Sequence, residues 1–139
     1  VSDFNDRIIA EFRANDGHVQ TAGFGSNLVL LHTTGAKSGQ PRISPLMGIA
    51  QPDGSWLVIA SKGGAPDHPA WFHNLLAHPE AAVEVPTSAG IATVPVVASP
   101  VPEAEYEAAW RQVTQRSAAF QQYQERAGDR TIPLVRLVP

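Results

Sequence analysis

The period of the hydrophobic positions changes several times along the chain. Phe4, Ile8 and Phe12 recur every four residues, with Asp6, Arg7, Glu11 and Arg13 on the other faces. That spacing predicts a helix from Asp3 to about Asn15, with Asp3 as its cap and Gly17 as its end. Leu28 to Thr34 is an unbroken apolar run with β-branched members, the pattern of a buried strand. Arg42 to Gln51 and Ser55 to Ala60 predict two strands joined by a turn at Pro52-Asp53-Gly54.

A short helix follows over Asp67 to Pro79. Asp67 or His68 would cap it, Pro69 would stand near its first position, and Pro79 would stop it. Ala81 to Val85 and Ala89 to Ala98 predict a second strand pair. Glu103 to about Arg126 predicts a helix broken near Ser117, with Tyr106, Trp110 and Val113 as its stripe and Gly128 as its terminator. Ile132 to Val138 would be the last strand, with Pro133 at its start or at a sheet edge. Strands that arrive in tight pairs make a mostly antiparallel sheet. The expected fold is therefore α+β: a barrel of about six mostly antiparallel strands with helices packed outside. Residues 1–139 are expected to form one domain, of which 1–26 are a helix and lead-in.

Composition narrows the functional classes. No cysteine is present, which removes disulfides, thiolate nucleophiles and cysteine-ligated metal centres. A net charge of -3 argues against a nucleic-acid partner, whose phosphates require surplus cations. No apolar run approaches the roughly 18 residues of a membrane span. The expectation is a cytoplasmic protein without membrane insertion. The first helix would pack on the barrel, cover a pocket or touch a membrane surface, with packing preferred.

The placement of the cations is more informative than their number. Only two of the ten basic residues are lysines, and both lie in glycine-containing segments, Gly35-Ala36-Lys37-Ser38-Gly39 and Ser61-Lys62-Gly63-Gly64. Asp53 is the only acid between Gly17 and Pro66. Each loop taken alone reads equally as a turn with a solvated lysine. Both together, with Arg42, favour an anion site in which backbone N–H groups and point charges face a phosphate. Neither has P-loop spacing, and no G-x-G-x-x-G opens a helix. His68, His73 and His78 are five residues apart, which on one helix turns them away from each other, so a metal site is not expected. No nucleophile elbow or carboxylate pair stands out. An enzyme built this way needs a cofactor to carry the chemistry. Trp71, Phe72, Phe120 and Tyr123 would offer a flat apolar surface to its ring or simply pack the core.

These same segments resemble a known family. Leu31-His32-Thr33-Thr34-Gly35-Ala36-Lys37-Ser38-Gly39-Gln40-Pro41-Arg42-Ile43-Ser44-Pro45-Leu46 is similar to the first signature of the deazaflavin-dependent nitroreductases of actinobacteria. Ile59-Ala60-Ser61-Lys62-Gly63-Gly64-Ala65-Pro66-Asp67-His68-Pro69-Ala70-Trp71-Phe72-His73-Asn74-Leu75 resembles the second, and Asp129-Arg130-Thr131-Ile132-Pro133-Leu134 the C-terminal one. The resemblance implies a split β-barrel that binds coenzyme F420, a deazaflavin with a phosphate and a polyglutamate tail. It implies hydride transfer from the reduced coenzyme to a small electrophilic acceptor. On this resemblance Ala36, Lys37, Ser38, Arg42, Ile43, Ser44, Pro45, Leu46 and Met47 line the cofactor. So do Ile59, Ala60, Ser61, Lys62, Gly63, Gly64, Ala70, Trp71, Phe72, His73, Asn74 and Phe120. Lys37, Arg42 and Lys62 would hold the phosphate and tail, and Gly63 and Gly64 would let the chain pass close by.

Ser61 and Tyr123 are the candidate catalytic hydroxyls on the same resemblance. Ser117, Phe120 and Met47 stand where the best-known members of that family carry tyrosines. Each removes a phenolic O–H that would orient or protonate an acceptor. Quinone reduction is therefore expected ahead of nitroaromatic reduction. An FMN-dependent reductase on the same barrel and a non-catalytic deazaflavin carrier are the alternatives.

Overall fold

The structure, a computed structural model, describes residues 3–139. Six strands form a closed barrel in the order β1-β2-β3-β6-β5-β4, and every neighbouring pair is antiparallel. They are β1 (Leu28–Thr34), β2 (Pro41–Ala50), β3 (Trp56–Ile59), β4 (Glu80–Thr87), β5 (Gly90–Pro100) and β6 (Leu134–Val138). Four helices surround them: α1 (Asp3–Ala14), α2 (Ala70–Ala77), α3 (Glu103–Arg116) and α4 (Ala119–Ala127).

The unbroken apolar run of β1 follows from burial on both faces. Val29 and Leu31 join Val58, Val83, Val85, Val96, Val135 and Leu137 in one core, to which α2 adds Trp71, Phe72 and Leu75. The alternate residues Leu28 and Leu30 pack outward against Ile8 and Phe12 of α1. The other outer cluster joins Ile49, Leu57, Ile59 and Leu134 to Ala109, Val113 and Phe120 of α3 and α4. A strand covered on both faces has no polar side to present, which is why no period-2 alternation appears there.

α1 is fastened by charge as well as by packing. Arg13 donates to both carboxylate oxygens of Glu84 on β4, Nε to Oε1 at 3.0 Å and Nη2 to Oε2 at 2.6 Å. The His32 ring on β1 lies 2.6 Å from the same Oε2. Glu84 is buried, and the Arg13 guanidinium beside it holds its carboxyl below the usual range. Phe4, by contrast, remains half exposed. α1 thus packs on the barrel through Ile8 and Phe12.

Three expected details differ. Asp3 lies in the first turn of α1 instead of capping it. β6 starts at Leu134 instead of Ile132 and pairs with strands on both sides, so Pro133 stands at the strand start, one of its two expected places, and marks no edge. α2 begins at Ala70 with Pro69 in the N-cap position, so neither Asp67 nor His68 caps it. The break between α3 and α4 falls at Ser117, whose extended backbone ends α3. No described helix is long and apolar enough to cross a membrane.

Candidate active site

Two adjoining cavities run beside β2 and share one wall, Trp71. The first, about 520 Å³, lies between Pro45-Leu46-Met47 of β2, the Ser61-Lys62-Gly63 turn and the α3–α4 junction. That junction presents Arg116, Ser117, Phe120 and Tyr123. Phe24, Asn27 and Leu28 close the side nearest the lead-in. Its walls mix apolar side chains with the cations Lys62 and Arg116 and contain no carboxylate. The second, about 1060 Å³, is lined by Ala36, Lys37 and Ser38, by Arg42, Ile43 and Ser44, and by Ala70, His73 and Asn74. α1 supplies its far wall through Asn5, Asp6 and Ile9.

The loop on the first cavity is strained. Lys62, Gly63 and Gly64 all have positive φ, at 48°, 63° and 86°. A lysine in this region costs about 1–2 kcal/mol, which persists only where surrounding contacts enforce it. Arg130, just after α4, provides them. Its Nη2 donates to the Ser61 carbonyl at 2.6 Å, Nη1 to Ala60 at 3.1 Å and Nε to Ala65 at 2.9 Å. Nη1 also lies 2.8 Å from Nδ1 of His68. An arginine has only donors, so His68 accepts through an unprotonated Nδ1. Burial, then the Arg130 charge, push the His68 pKa down, in keeping with a neutral ring.

The second loop is held differently. Asn74, buried on α2, accepts a hydrogen bond from the Ala36 N–H at 2.9 Å and donates to Thr33 Oγ at 3.1 Å. That fixes where the loop leaves β1 and leaves its cations outside. Lys37 and Arg42 are exposed, and neither has a carboxylate partner among the described residues. Arg42 reaches only the Pro41 carbonyl at 3.2 Å and Ser38 Oγ at 3.5 Å.

Most of the predicted residues converge on these cavities, and three lie off them. Phe72 points into the barrel core. Ala60 is fully buried, with its carbonyl taken by Arg130. Gly64 packs on α4: a Cβ there would stand 2.6 Å from the Tyr123 carbonyl oxygen. Its lack of a side chain serves that contact. Lys62 is not short of a counter-ion either, because Asp67, expected as a helix cap, pairs with its Nζ at 2.9 Å. The histidine spacing rule also fails at its first member. His68 precedes α2, and its ring lies 5.8 Å from that of His73. No cluster of three potential metal ligands occurs among the described residues.

Sequence reasoning missed Arg116 and Arg130 as site residues. Arg130 was in view within its signature, but its four partners lie 62–70 residues away. Arg116 carried no signal beyond its place before Ser117.

The residues present fit a ligand with a flat ring at one end and anionic groups at the other. A cavity walled by Leu46, Met47, Trp71 and Phe120, with Lys62 and Arg116 beside them and no carboxylate, adjoins at the Trp71 indole a larger one carrying Lys37 and Arg42, which have no carboxylate partner among the described residues. Comparisons with known proteins point the same way. A family model described as F420H(2)-dependent quinone reductase matches residues 6–139. The F420H(2)-dependent quinone reductase of Mycobacterium tuberculosis is 40% identical over 109 residues, covering 77% of this chain and 70% of that protein. The solved structure of an F420-H2 dependent reductase is 35% identical, with a TM-score of 0.68, over 80% of this chain and 93% of that one. A further structure, described as a domain-swapped dimer, is 31% identical with a TM-score of 0.68, covering 95% of this chain and 96% of that one.

Proposed function

The chain belongs to the F420H(2)-dependent quinone reductase family, and from that premise we propose how its own residues carry out the reaction. It is an oxidoreductase that uses F420H2 to reduce a small electrophilic acceptor, and a quinone is the favoured one. The observation that carries the site assignment is that the two cavities meet at Trp71, which lines both. The chain acts as one deazaflavin-binding unit, with the ring in the cavity walled by Trp71, Met47 and Phe120 and the anionic tail in the one beside Lys37 and Arg42.

Lys37 and Arg42 hold the tail by charge-assisted hydrogen bonds, with Ser38 and the exposed His73 beside them. Trp71, Leu46, Met47 and Phe120 wall the ring and exclude water. Gly63, at the cavity surface, lets the backbone approach the ring edge. Bound there, the reduced deazaflavin supplies a hydride from its C5 carbon. A quinone that accepts a hydride at carbonyl oxygen or ring carbon gains one negative charge and then needs one proton to become a quinol. Ser61 and Tyr123 orient the acceptor carbonyl by donating hydroxyl hydrogen bonds. Arg116 places a positive charge where the negative charge develops. With one phenol where the best-known deazaflavin-dependent nitroreductases carry several, the site suits an acceptor whose anion is stable. Quinones satisfy that condition and nitro groups do not.

Anaerobic oxidation of F420H2 by menadione, followed at the deazaflavin absorbance band, tests this reading. Saturable turnover with quinone, well above turnover with a nitroimidazole, is the expected result. Tight F420 binding without turnover of any quinone would make the protein a carrier. FMN binding in place of F420 would move the assignment to a flavin enzyme. Peripheral membrane contact is a separate proposal for α1, whose Phe4 is the exposed apolar residue on its first turn.

A further inference from the structure

We propose that Arg130 is the positioning residue for the ring-facing turn, and that its contact with His68 makes cofactor affinity pH-dependent. This rests on the reading of the groove as the deazaflavin site. One guanidinium spans both ends of the turn, taking Ala60 and Ser61 before it and Ala65 after it. Between these anchors lie three successive left-handed residues, with backbone hydrogen bonds only from Gly64 N–H to Ser61 and from Ala65 N–H to Lys62. Two such bonds do not explain a left-handed lysine. Three charge-assisted bonds from a planar fork do, and a lysine at this position could reach only part of them. The Ser61 carbonyl bond, at 2.6 Å, is the shortest and fixes the residue whose hydroxyl lines the ring cavity.

His68 completes the fork as an acceptor. The charged and titratable groups around it are Arg130 at 2.8 Å, His73 with ring centroid at 5.8 Å on α2, and Asp67 as its chain neighbour. Phe72 packs on its ring edge at 4.9 Å. A proton on Nδ1 removes the acceptor and sets an imidazolium against a guanidinium. Arg130 then withdraws, and the turn loses its anchor. His73 also lines the tail cavity.

The test uses the whole chain with Arg130→Lys, Arg130→Ala and His68→Gln. Fluorescence titration with oxidised F420 from pH 5 to 8 is paired with amide hydrogen exchange at residues 62–65 in the ligand-free protein. Expected are about a tenfold or larger loss of affinity in Arg130→Lys and faster exchange at Gly64 and Ala65. Partial recovery of Arg130→Ala by guanidinium ion, but not by ammonium, is also expected. His68→Gln should flatten the loss of affinity below pH 6.5, the ordinary histidine value. Unchanged exchange in Arg130→Lys overturns the positioning role. Faster exchange with unchanged affinity overturns the link to the ligand. An acid limb that survives in His68→Gln overturns the pH role. Wild-type protein that binds no F420 overturns the cofactor reading instead, while the exchange measurement still decides whether Arg130 holds the turn.

Discussion

The two halves of the proposed cofactor site are built on opposite plans. At the ring end the backbone is strained and tightly held: three left-handed residues, one guanidinium across the turn, and Gly64 pressed against α4. Its lysine is already paired with Asp67. At the tail end the cations are exposed and lack carboxylate partners among the described residues. Hydride transfer needs donor and acceptor placed within a fraction of an ångström, and a rigid, pre-strained wall supplies that. Holding a flexible polyanion needs charge density, and mobile side chains supply that with less geometric demand.

The ring end should break hardest when its backbone is disturbed. Gly64→Ala adds a Cβ 2.6 Å from the Tyr123 carbonyl at a φ of 86°. Either the turn or α4 must move, and both line the acceptor cavity. Expected are a fall in melting temperature of about 10 °C and a loss of kcat/KM on the order of 100-fold. Near-normal kinetics in this variant would show that the ring wall tolerates displacement.

The tail end should fail in a different currency. Lys37→Ala with Arg42→Ala leaves fold and melting temperature unchanged, because neither side chain packs in the core. F420 affinity should fall about 100-fold. The remaining binding should lose most of its salt dependence, because the exposed charges that salt screens are gone. At saturating F420, kcat should stay within about threefold of wild type. Isothermal titration at two ionic strengths separates this outcome from a general loss of the site.

Tyr123→Phe isolates the acceptor from the cofactor. The ring packs edge-on against Phe120 at 5.4 Å and under Arg126 at 5.7 Å, and both contacts survive removal of the hydroxyl. F420 affinity should hold while quinone kcat/KM falls about tenfold, at the weak end for loss of a proton-donating group because Ser61 and Arg116 remain. Steady-state kinetics with menadione, together with F420 titration, measure the two arms.

Far from the ring, Glu84→Gln loosens the α1 wall of the tail cavity from behind. The Glu84 carboxyl is held below 4.5, chiefly by the Arg13 hydrogen bonds and then by His32, with burial opposing. The unfolded chain therefore binds more protons below pH 4.5, and the contribution to stability is lost as pH falls from 4.5 through the lower folded value. Glu84→Gln should cost about 2 kcal/mol at neutral pH and leave a flatter melting profile in that acid window. F420 affinity should fall about fivefold, by an indirect effect through α1. Thermal melts from pH 3 to 7 for both proteins check the sign.

How legible each half was in the sequence follows from how local its determinants are. β1 could be read to the residue, because a seven-residue apolar run states its own burial. The break at Ser117 and the turn at Pro52-Asp53-Gly54 were also local, the latter closed by Asp53 accepting from Ser55 N–H at 2.9 Å. The cationic loop at the tail end was legible for the same reason: Lys37 and Arg42 announce charge wherever they fold. The ring end was not. Its key contacts join residues 62–70 apart, and nothing at Arg130 alone says that it grips Ser61. The resemblance places Phe72 and Gly64 with the ligand, and the fold packs Phe72 in the core and Gly64 against α4, contacts that no local pattern announces. The histidine error was one of phase. A helical rotation was assigned to His68, which lies two residues before α2 begins.

The smallest effect bears on the one feature that runs against the tail-end plan. Asp6, on the exposed side of α1, lines the cavity that Lys37 and Arg42 make positive. A carboxylate facing a polyanionic tail across solvent repels it, but water and salt keep such terms to a fraction of a kcal/mol. Asp6→Asn should therefore raise F420 affinity about two- to threefold at low salt and by less at high salt, with kcat unchanged. The gain should be larger for coenzyme with a longer glutamate tail, since added charges extend along the wall that α1 forms. A fall in affinity would mean that Asp6 accepts a hydrogen bond from the ligand. It would then belong to a recognition surface in which α1 reads the tail, and the tail end would be as specific in its geometry as the ring end.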